Sequence, residues 1–589
     1  MRAWYALMGL IGLTLAVRVA HLMAVVDTPL FAYHRIFPAS DMYLFDEWSE
    51  RIANGDVLGR EPYQPVAAWQ LTLAPLERWK EWYGHPLVFY KAPFYPYLIA
   101  ALRRLFGDPM LSLAILQIEI AAASVFLLLR IGTELVGPRA GWLGAMLFAL
   151  YGPAIHYDVV MLRGPWIVLV SLLVTWQLIV FRSDPSPLRA GAVGLALGAA
   201  LLVNEGFLLL PMLTLGLLGV WVRRPMRVVA LSGAVVAGMA VALSPLIVRN
   251  VLVGAPPLAL AVTGSSIFAV FNSADSSPYI LSFPRSVSQL LEASGGRFLP
   301  LVRACLATFS GFGSYLLFYL RKATGFVVPY ENPDNVNYYY AALKSPVLEV
   351  LPGYGVLFPL AAVGLALALR RGDRLAPLLP VTVSLFASIM LTMPLSRYRA
   401  TLVVHLMPLA GVALAEGYRW ARERRIRPLA LALLGSIALG VAATMCQREV
   451  VFGGHPAGLF LYRAQEFVFG VEGYAREGRY RDALAENLAL LRLNPARDVR
   501  TTTLAMLADL RVDRRDPEAL RDFLREAVDV GGGDPEFLMA MGDIARGRLR
   551  DGAQARTAYE AALALHPSPA TEHALRRRLG SRAGRPGAG

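Results

Sequence analysis

The sequence contains very little lysine and very little cysteine. Only four of its 57 basic residues are lysine, so arginine carries nearly all of the positive charge. The two cysteines, Cys305 and Cys446, are too few for a disulfide framework or for a metal cluster built from cysteines. These scarcities exclude a small disulfide-stapled domain and a cysteine-ligated metalloprotein.

Charged residues are scarce as well, at 17% of the 589 residues, whereas hydrophobic residues make up 56%. The mean hydropathy is +0.48. This composition excludes an ordinary soluble domain and predicts a membrane protein with many spans. The net charge of +14 could suit nucleic acid, but the arginines recur between hydrophobic stretches, as basic residues do in cytoplasmic loops. We therefore expect no nucleic-acid partner.

Eleven stretches are apolar enough to be spanning helices, which need about 20 residues each. They are 4–26, 110–130, 140–157, 163–181, 188–204, 206–222, 227–247, 351–369, 374–394, 400–418 and 427–446. The first stretch is too long for a signal-peptide core and no clear cleavage site follows it, so we expect it to be retained.

Every second connection between these stretches is rich in arginine. The clusters are Arg130 and Arg139; Arg182 and Arg189; Arg223, Arg224 and Arg227; Arg370, Arg371 and Arg374; and Arg422, Arg424, Arg425 and Arg427. The positive-inside rule assigns all of them to the cytoplasm. The N-terminus is then cytoplasmic, and the segments 27–109 and 249–350 are external. We expect a multi-pass protein of the bacterial inner membrane.

The region 451–580 is charged and free of apolar stretches, which predicts a second, periplasmic domain after a membrane domain at 1–450. Two parts of it repeat one plan. The first has Tyr474, Gly478, Tyr480, Ala483 and Pro495, and the second has Gly542, Ala555, Tyr559, Ala562 and Pro567. Small residues at helix crossings with a closing proline are typical of tetratricopeptide helix pairs. The tail 581–589 is predicted to be disordered.

An acidic segment follows the first apolar stretch directly and carries Asp41, Asp46 and Glu47. The topology puts it outside, where a carboxylate near the low-dielectric interface could accept the proton of a glycosyl acceptor. The alternatives are an N-terminal helix cap for Asp41 and a solvated helix face for the other two. We prefer Asp41 as the base and keep Asp46 as the alternative.

The spacing of this loop resembles a known family. The residues are Asp41-Met42-(x)3-Phe45-(x)2-Trp48-(x)3-Ile52-Ala53-(x)-Gly55-Asp56, followed by Tyr90-Lys91-Ala92-Pro93-Phe94-Tyr95-Pro96-Tyr97. Further matches are Arg249-Asn250 with Gly264-(x)7-Asn272, Ser396-Arg397-Tyr398-Arg399 with Pro408, and Tyr157-Asp158. Over about residues 1–447 the chain resembles GT-C glycosyltransferases, and more narrowly the family of protein O-mannosyltransferases and the lipid A aminoarabinose transferase (glycosyltransferase family 39).

The resemblance implies a polyprenyl-phosphate sugar donor, inversion at the anomeric carbon and a catalytic acid at Asp41. The family's usual Asp-Glu pair is Asp41-Met42 here, and Asp158 is the candidate for a second acid. Arginine can stabilise a departing phosphate bidentately. The candidate phosphate-binding residues are Arg397, Arg399, Arg249, Arg163 and Lys91, with headgroup anchoring as the alternative. The candidate sugar or acceptor contacts are Glu205, Tyr95, Asn272 and Tyr398.

The sequence therefore predicts an all-α, GT-C-like membrane glycosyltransferase with a tetratricopeptide-like domain that binds an acceptor or a partner protein. We expect no cofactor besides the lipid-linked donor, and no metal, because His156 and Asp158 lack further ligands at fixed spacing. The alternatives are an O-antigen ligase or polymerase, and a non-enzymatic membrane scaffold that displays the repeats. The sugar and the acceptor (protein, lipid or glycan) stay open.

Overall fold

A computed structural model describes residues 2–494 and 497–580. Over these residues the chain consists of α-helices with short 3-10 and π turns, and it contains no strand. The predicted all-α architecture is therefore confirmed. Pro495 and the tail from residue 581 lie outside the described residues.

Within the described residues, eight helices are long and apolar enough to cross a membrane. They are Trp4–Val25, Pro109–Val136, Gly164–Ser183, Pro225–Val253, Pro346–Ala368, Arg374–Leu391, Ser396–Arg422 and Ile426–Val451. Each of them coincides with one of the eleven predicted stretches. The several membrane-length helices that the composition predicts are thus present.

The other three predicted stretches are helical but shorter than a full span. The stretch 140–157 is divided into Pro138–Ala149 and Gly152–Tyr157, with Pro153 at the start of the second helix. Pro187–Val203 and Glu205–Trp221 are apolar helices of 10–17 residues. Since a helix rises about 1.5 Å per residue, 17 residues reach about 25 Å, which is less than the hydrocarbon core. The expected number of eleven full spans is therefore too high.

The two predicted external segments contain helices of their own. The first has Pro29–Ala32, Tyr33–Ile36, Asp41–Ala53, Ala68–Leu71, Leu76–Tyr83 and Phe94–Phe106. The second has Gly264–Phe271, Ser286–Ser294, Phe298–Ala307, Phe312–Val327 and Tyr338–Lys344. Phe298–Ala307 and Phe312–Val327 are together apolar enough for a span but are bent by 104° at the break. No apolar stretch predicted from the sequence corresponds to this bent pair.

The helix Ser396–Arg422 is the most buried of the eight, since 72% of its most apolar 18-residue stretch is buried inside the protein. Glycines allow the neighbouring backbones to approach it closely. A Cβ atom on Gly411 would lie 2.1 Å from the carbonyl oxygen of Ala140, and one on Gly364 would lie 1.8 Å from that of Leu409. Two neighbouring helices therefore fix this helix, and with it the arginines at its start.

The chain divides into two compact units. The first comprises Met1–Val25 and Phe37–Gly454, and the second comprises Val26–Ile36 and the chain from His455 onward. The second unit contains Gly458–Leu461, Ala464–Arg476, Tyr480–Leu493, Arg497–Leu510, Pro517–Val530, Pro535–Arg548, Gly552–Ala564 and Pro569–Gly580. Within it, the Tyr33 hydroxyl donates to the carbonyl oxygen of Glu466 at 2.7 Å. The short segment after the first apolar helix is thus a structural part of this unit.

Ion pairs in the second unit recur at a nearly constant sequence separation. The pairs are Arg481 with Asp516, Arg492 with Glu526, Arg500 with Asp534, and Arg578 with Asp543, and the members of each pair are 34 or 35 residues apart. Gly542 also lies where the predicted plan needs a small residue, because its Cβ would meet the Tyr559 ring at 2.4 Å. Four ion pairs thus share a separation of 34 or 35 residues, whereas Arg481–Glu518 and Arg521–Asp551 are 37 and 30 residues apart.

Candidate functional site

Asp41 is the first residue of the helix Asp41–Ala53, but it does not cap that helix. Ser40 is the cap, since its hydroxyl oxygen accepts from the backbone N–H of Tyr43 at 3.1 Å. The backbone N–H of Asp41 donates to Oδ1 of Asn335 at 2.8 Å. The capping alternative for Asp41 is thus wrong, and its carboxylate is available for other contacts.

The carboxylate of Asp41 joins two cations that are far apart in sequence. Lys91 Nζ lies 2.5 Å from Oδ1, and Arg397 Nη1 lies 2.5 Å from Oδ2. Lys91 precedes the helix Phe94–Phe106, and Arg397 is the second residue of Ser396–Arg422. The Asp41 side chain is 16% exposed. Three separate elements therefore meet at one partly accessible carboxylate.

Arg397 contacts a second carboxylate as well. Its Nη2 lies 2.5 Å from Asp334 Oδ2 and donates to the Tyr398 hydroxyl at 2.9 Å. Next to Asp334, the amide nitrogen of Asn335 lies 3.5 Å from Asp41 Oδ2. The guanidinium of Arg397 is thus held between Asp41 and Asp334, one carboxylate on each terminal nitrogen.

A second ion pair adjoins this one. Arg163 donates to Glu205 through both terminal nitrogens, at 2.7 and 3.2 Å, and to the carbonyl oxygen of Val203 at 3.2 Å. The backbone N–H of Ala92, which follows Lys91 in sequence, donates to Glu205 at 3.3 Å. The segment 91–92 therefore touches both ion pairs.

We call these six residues the Asp41 cluster: Asp41, Lys91, Arg163, Glu205, Asp334 and Arg397. Three are acidic and three are basic, so the formal charges of the cluster cancel. In the described structure each basic member already pairs with at least one acidic member. An anionic ligand would therefore have to compete with these carboxylates for the cations.

The cations set the protonation of the cluster. Burial alone would raise the pKa of Asp41, but Lys91 and Arg397 outweigh burial and hold this pKa far below its ordinary value. Burial likewise opposes ionisation of Glu205, yet Arg163 and Lys91 lower its pKa to about 2. Both carboxylates are thus ionised while these pairs last.

The two alternative acids, Asp46 and Asp158, form ion pairs with arginines that are not members of the Asp41 cluster. Asp46 forms an ion pair with Arg103 of the helix Phe94–Phe106. Asp158 is 4% exposed and accepts from Arg18 Nε at 2.7 Å. Burial raises the pKa of Asp158 to about 6, even though the charge of Arg18 opposes this shift. Neither acid contacts a cation of the Asp41 cluster among the described contacts.

Two of the predicted phosphate-binding arginines, Arg399 and Arg249, donate mainly to backbone carbonyl oxygens. Arg399 is fully buried, lies 2.8 Å from Glu331, and donates to the carbonyl oxygens of Val328 and Tyr330 at 2.7 and 2.6 Å. Arg249 donates to the carbonyl oxygens of Leu58, Leu87 and Gly59 at 2.6–2.8 Å. Both arginines hold loop backbone together.

Two of the predicted sugar contacts, Tyr95 and Asn272, form hydrogen bonds with other side chains inside the protein. The Tyr95 hydroxyl donates to Gln117 Oε1 at 2.9 Å, and Tyr95 is fully buried. The side-chain oxygen of Asn272 accepts from Tyr319 and Lys322 at 2.7 and 3.1 Å. Of the four predicted sugar contacts, Glu205 belongs to the Asp41 cluster and Tyr398 contacts its member Arg397.

The sequence analysis missed Asp334 and Asn335. They lie in the polar run Glu331-Asn332-Pro333-Asp334-Asn335-Val336-Asn337. Asp334 is partly exposed, and the other six residues of this run are buried. A dense polar run in so apolar a chain was a usable signal, because buried polar groups need specific partners. The described residues contain no group of three or more His, Cys, Asp or Glu arranged for a metal ion.

The described fold and site thus define an all-α protein with eight membrane-length helices and a charge-balanced cluster gathered from distant segments. No protein-family model and no curated protein matches the chain. Among solved structures it is similar to the oligosaccharyltransferase of the archaeon Archaeoglobus fulgidus. With the form tethered to an acceptor peptide containing the NVT sequon, the TM-score is 0.40 and the identity 12%, over 81% of this chain and 59% of that chain.

The same protein in the apo form gives a TM-score of 0.35 at 13% identity, over 74% of this chain and 58% of that chain. Its complex with an inhibitory peptide and a dolichol-phosphate gives 0.34 at 12% identity, over 74% and 59%. The chain therefore spans less than two thirds of the length of these structures.

Proposed function

We propose that the protein is a membrane glycosyltransferase of the GT-C type that transfers a sugar from a polyprenyl-phosphate donor to an acceptor on the external face of the membrane. The observation that carries this proposal is the Asp41 cluster, in which one carboxylate meets two cations and a third cation lies beside them. A glycosyl transfer from a lipid phosphate needs these two kinds of group, a base for the acceptor and cations for the leaving phosphate.

Asp41 is the proposed general base. In an inverting transfer, the acceptor oxygen or nitrogen attacks the anomeric carbon while the bond from that carbon to the phosphate oxygen breaks. The acceptor proton passes to a carboxylate oxygen of Asp41, and the electron pair of the broken bond stays on the phosphate. The 16% exposure of the Asp41 side chain supports this role, because an acceptor has to reach the carboxylate.

Lys91, Arg163 and Arg397 are the proposed phosphate contacts, since these three of the five predicted cations belong to the Asp41 cluster. Arg163 and Arg397 also lie at the N-terminal ends of the long helices Gly164–Ser183 and Ser396–Arg422. A helix N-terminus carries partial positive charge and favours a bound anion. Phosphate would therefore meet both the guanidinium groups and two helix dipoles.

Tyr398 and Glu205 are the proposed contacts for the sugar or the acceptor, because they adjoin Arg397 and Arg163. The second unit is proposed to be a tetratricopeptide-like solenoid that binds the acceptor or a partner protein. Its ion pairs at 34 or 35 residues support this assignment, since tetratricopeptide repeats have 34 residues.

The test is a panel of polyprenyl-phosphate sugars incubated with the purified protein, with release of polyprenyl phosphate as the measurement. We expect Asp41→Asn to lower the rate by about a hundredfold or more, since general-base catalysis is worth about that much. Glu50→Gln is the matched control, because Glu50 is an exposed residue on the same helix and the change removes the same charge.

Asp46→Asn separates the two predicted bases. We expect it to retain most of the activity, because Asp46 forms its ion pair with Arg103, which is not a member of the Asp41 cluster. Transfer activity that survives Asp41→Asn would refute the mechanism. Tolerance of substitutions at both Asp41 and Arg397 would favour the scaffold alternative.

A further inference from the structure

Asp41 and the leaving phosphate need the same two cations. Lys91 and Arg397 are both bonded to Asp41 in the described structure. While they remain there, they neutralise the carboxylate and commit part of their charge and of their N–H donors to it. A mechanism that uses all three residues therefore has to divide the charge of both cations between the two anions during the reaction.

Building on the proposed function, we propose that the proton taken up by Asp41 releases Lys91 and Arg397 to the departing polyprenyl phosphate. Ionised Asp41 holds both cations before transfer. Once a carboxylate oxygen carries the acceptor proton, Asp41 is neutral and its two ion pairs become weak hydrogen bonds. The cations then turn to the phosphate at the step in which the phosphate gains its charge.

The charges balance through this exchange. The donor is a phosphate diester with one negative charge, and the departing phosphate monoester gains one more when the bond to the anomeric carbon breaks. The acceptor loses one proton, and Asp41 gains it. The cluster thus becomes one unit more positive as the lipid phosphate becomes one unit more negative, and the proton stays within the site.

Asp334 is the positioning residue in this exchange. It binds Nη2 of Arg397, the terminal nitrogen that is not bonded to Asp41. When the bond to Asp41 weakens, Arg397 therefore keeps one carboxylate and cannot swing away from the site. Asn335 likewise keeps Asp41 in place, because its Oδ1 accepts from the backbone N–H of Asp41 at 2.8 Å. The run 331–337 thus fixes both partners while the bond between them is exchanged.

The Asp41→Asn variant tests this inference, because asparagine imitates the protonated, neutral carboxyl group. We expect it to bind the product more tightly than the wild-type protein does, although it no longer transfers sugar. Two freed cations each gain a charge-assisted bond to the phosphate, so the dissociation constant should fall by about tenfold or more. A variant damaged only in structure would bind the product more weakly.

The experiment uses the full-length protein in detergent with a short-chain polyprenyl phosphate as the probe and the uncharged polyprenol as the chain control. The variants are Asp41→Asn, Asp41→Ser and Glu50→Gln, and the dissociation constant is measured for each. The Glu50→Gln change also removes one negative charge from the same helix. Since Glu50 is exposed and is not a member of the Asp41 cluster, the dissociation constant should stay unchanged. The second neutral variant, Asp41→Ser, covers the case in which Asp41→Asn does not fold.

A double variant tests the positioning residue. Asp41→Asn together with Asp334→Asn should lose the tighter binding that Asp41→Asn alone gives, because Arg397 then has neither carboxylate to orient it. Asp41→Asn together with Asp334→Glu should recover it. Tight binding that persists in the first double variant would overturn the role of Asp334.

The outcomes separate this inference from the proposed function. Failure of the wild-type protein and of both neutral variants to bind polyprenyl phosphate would overturn the proposed function itself. If the wild-type protein binds the probe but the neutral variants bind it equally or less tightly, the exchange is refuted and the glycosyltransferase assignment stands. An equal gain in Glu50→Gln would also refute the exchange, since it would show a general charge effect.

Discussion

Arg397 and Arg399 are two residues apart on one helix but meet different acceptors. Arg397 lies between two partly exposed carboxylates, whereas Arg399 is fully buried against Glu331 and two backbone carbonyls. A cation that pairs with partly exposed carboxylates can exchange them for a phosphate. A buried cation that also binds backbone carbonyls stabilises the fold, because removing it leaves those acceptors without a donor.

These different contacts predict opposite effects of substitution. Arg399→Leu leaves Glu331 buried without its cation, which should cost about 3–5 kcal/mol of folding free energy. Arg397→Leu should change thermal stability much less but should weaken binding of polyprenyl phosphate. Thermal unfolding in detergent and a product-binding assay measure the two effects. Similar losses of stability in both variants would show that Arg397 is a structural residue too.

The sequence sufficed to select the external cations but not to separate these roles. Arg397, Arg399 and Arg249 all stand at the external ends of apolar stretches, so topology alone treats them alike. Their partners in other segments are 63 to 356 residues away. Residue periodicity contains no information about such contacts, and for the same reason the part played by Asp334 was missed.

At the scale of helices, the position of Arg397 depends on how closely its helix packs. Gly411 and Gly364 let the backbones of the neighbouring helices approach Ser396–Arg422 more closely than any side chain would allow. The apolar stretches were predictable because composition and length determine them. The bend between Phe298–Ala307 and Phe312–Val327 was not, because it depends on tertiary contacts rather than on local composition.

A methyl group added at one of these glycine contacts should change the position of Arg397 in the Asp41 cluster. Gly411→Ala places Cβ 2.1 Å from the carbonyl oxygen of Ala140, so the two helices have to separate. We expect a lower thermal midpoint and lower transfer activity, because the helix carries Arg397. Gly417→Ala is the control on the same helix, since its Cβ would meet only Leu429 at 3.8 Å. Equal behaviour of the two variants would contradict the packing argument.

At the scale of the whole molecule, the candidate site and the series of ion pairs belong to separate compact units. The Asp41 cluster lies entirely within the first unit, and the ion pairs at 34 or 35 residues lie within the second. The segment Val26–Ile36 was assigned by sequence to the first external loop, yet it packs with the second unit. Its hydrophobic partners follow more than 400 residues later, which no local pattern indicates.

This division predicts the effect of removing the chain from His455. We expect the shortened protein to keep sugar transfer to a small soluble acceptor, with release of polyprenyl phosphate, and to lose transfer to the acceptor that the second unit is proposed to bind. Because the truncation exposes Tyr33 and Ile36, both should be replaced by serine in the shortened protein. A complete loss of both activities, with Asp41→Asn tolerated in the full chain, would support the scaffold alternative instead.

The shared spacing of four ion pairs in the second unit has a consequence for how the proposed solenoid could change in length. Each arginine of the four meets an acid 34 or 35 residues later, or 35 residues earlier in the case of Arg578. Exposed ion pairs add little stability, so their value lies in matching one repeat to the next. In the proposed solenoid, a duplicated block of 34 residues would bring its own donors and acceptors at this spacing, and the array could grow by whole modules.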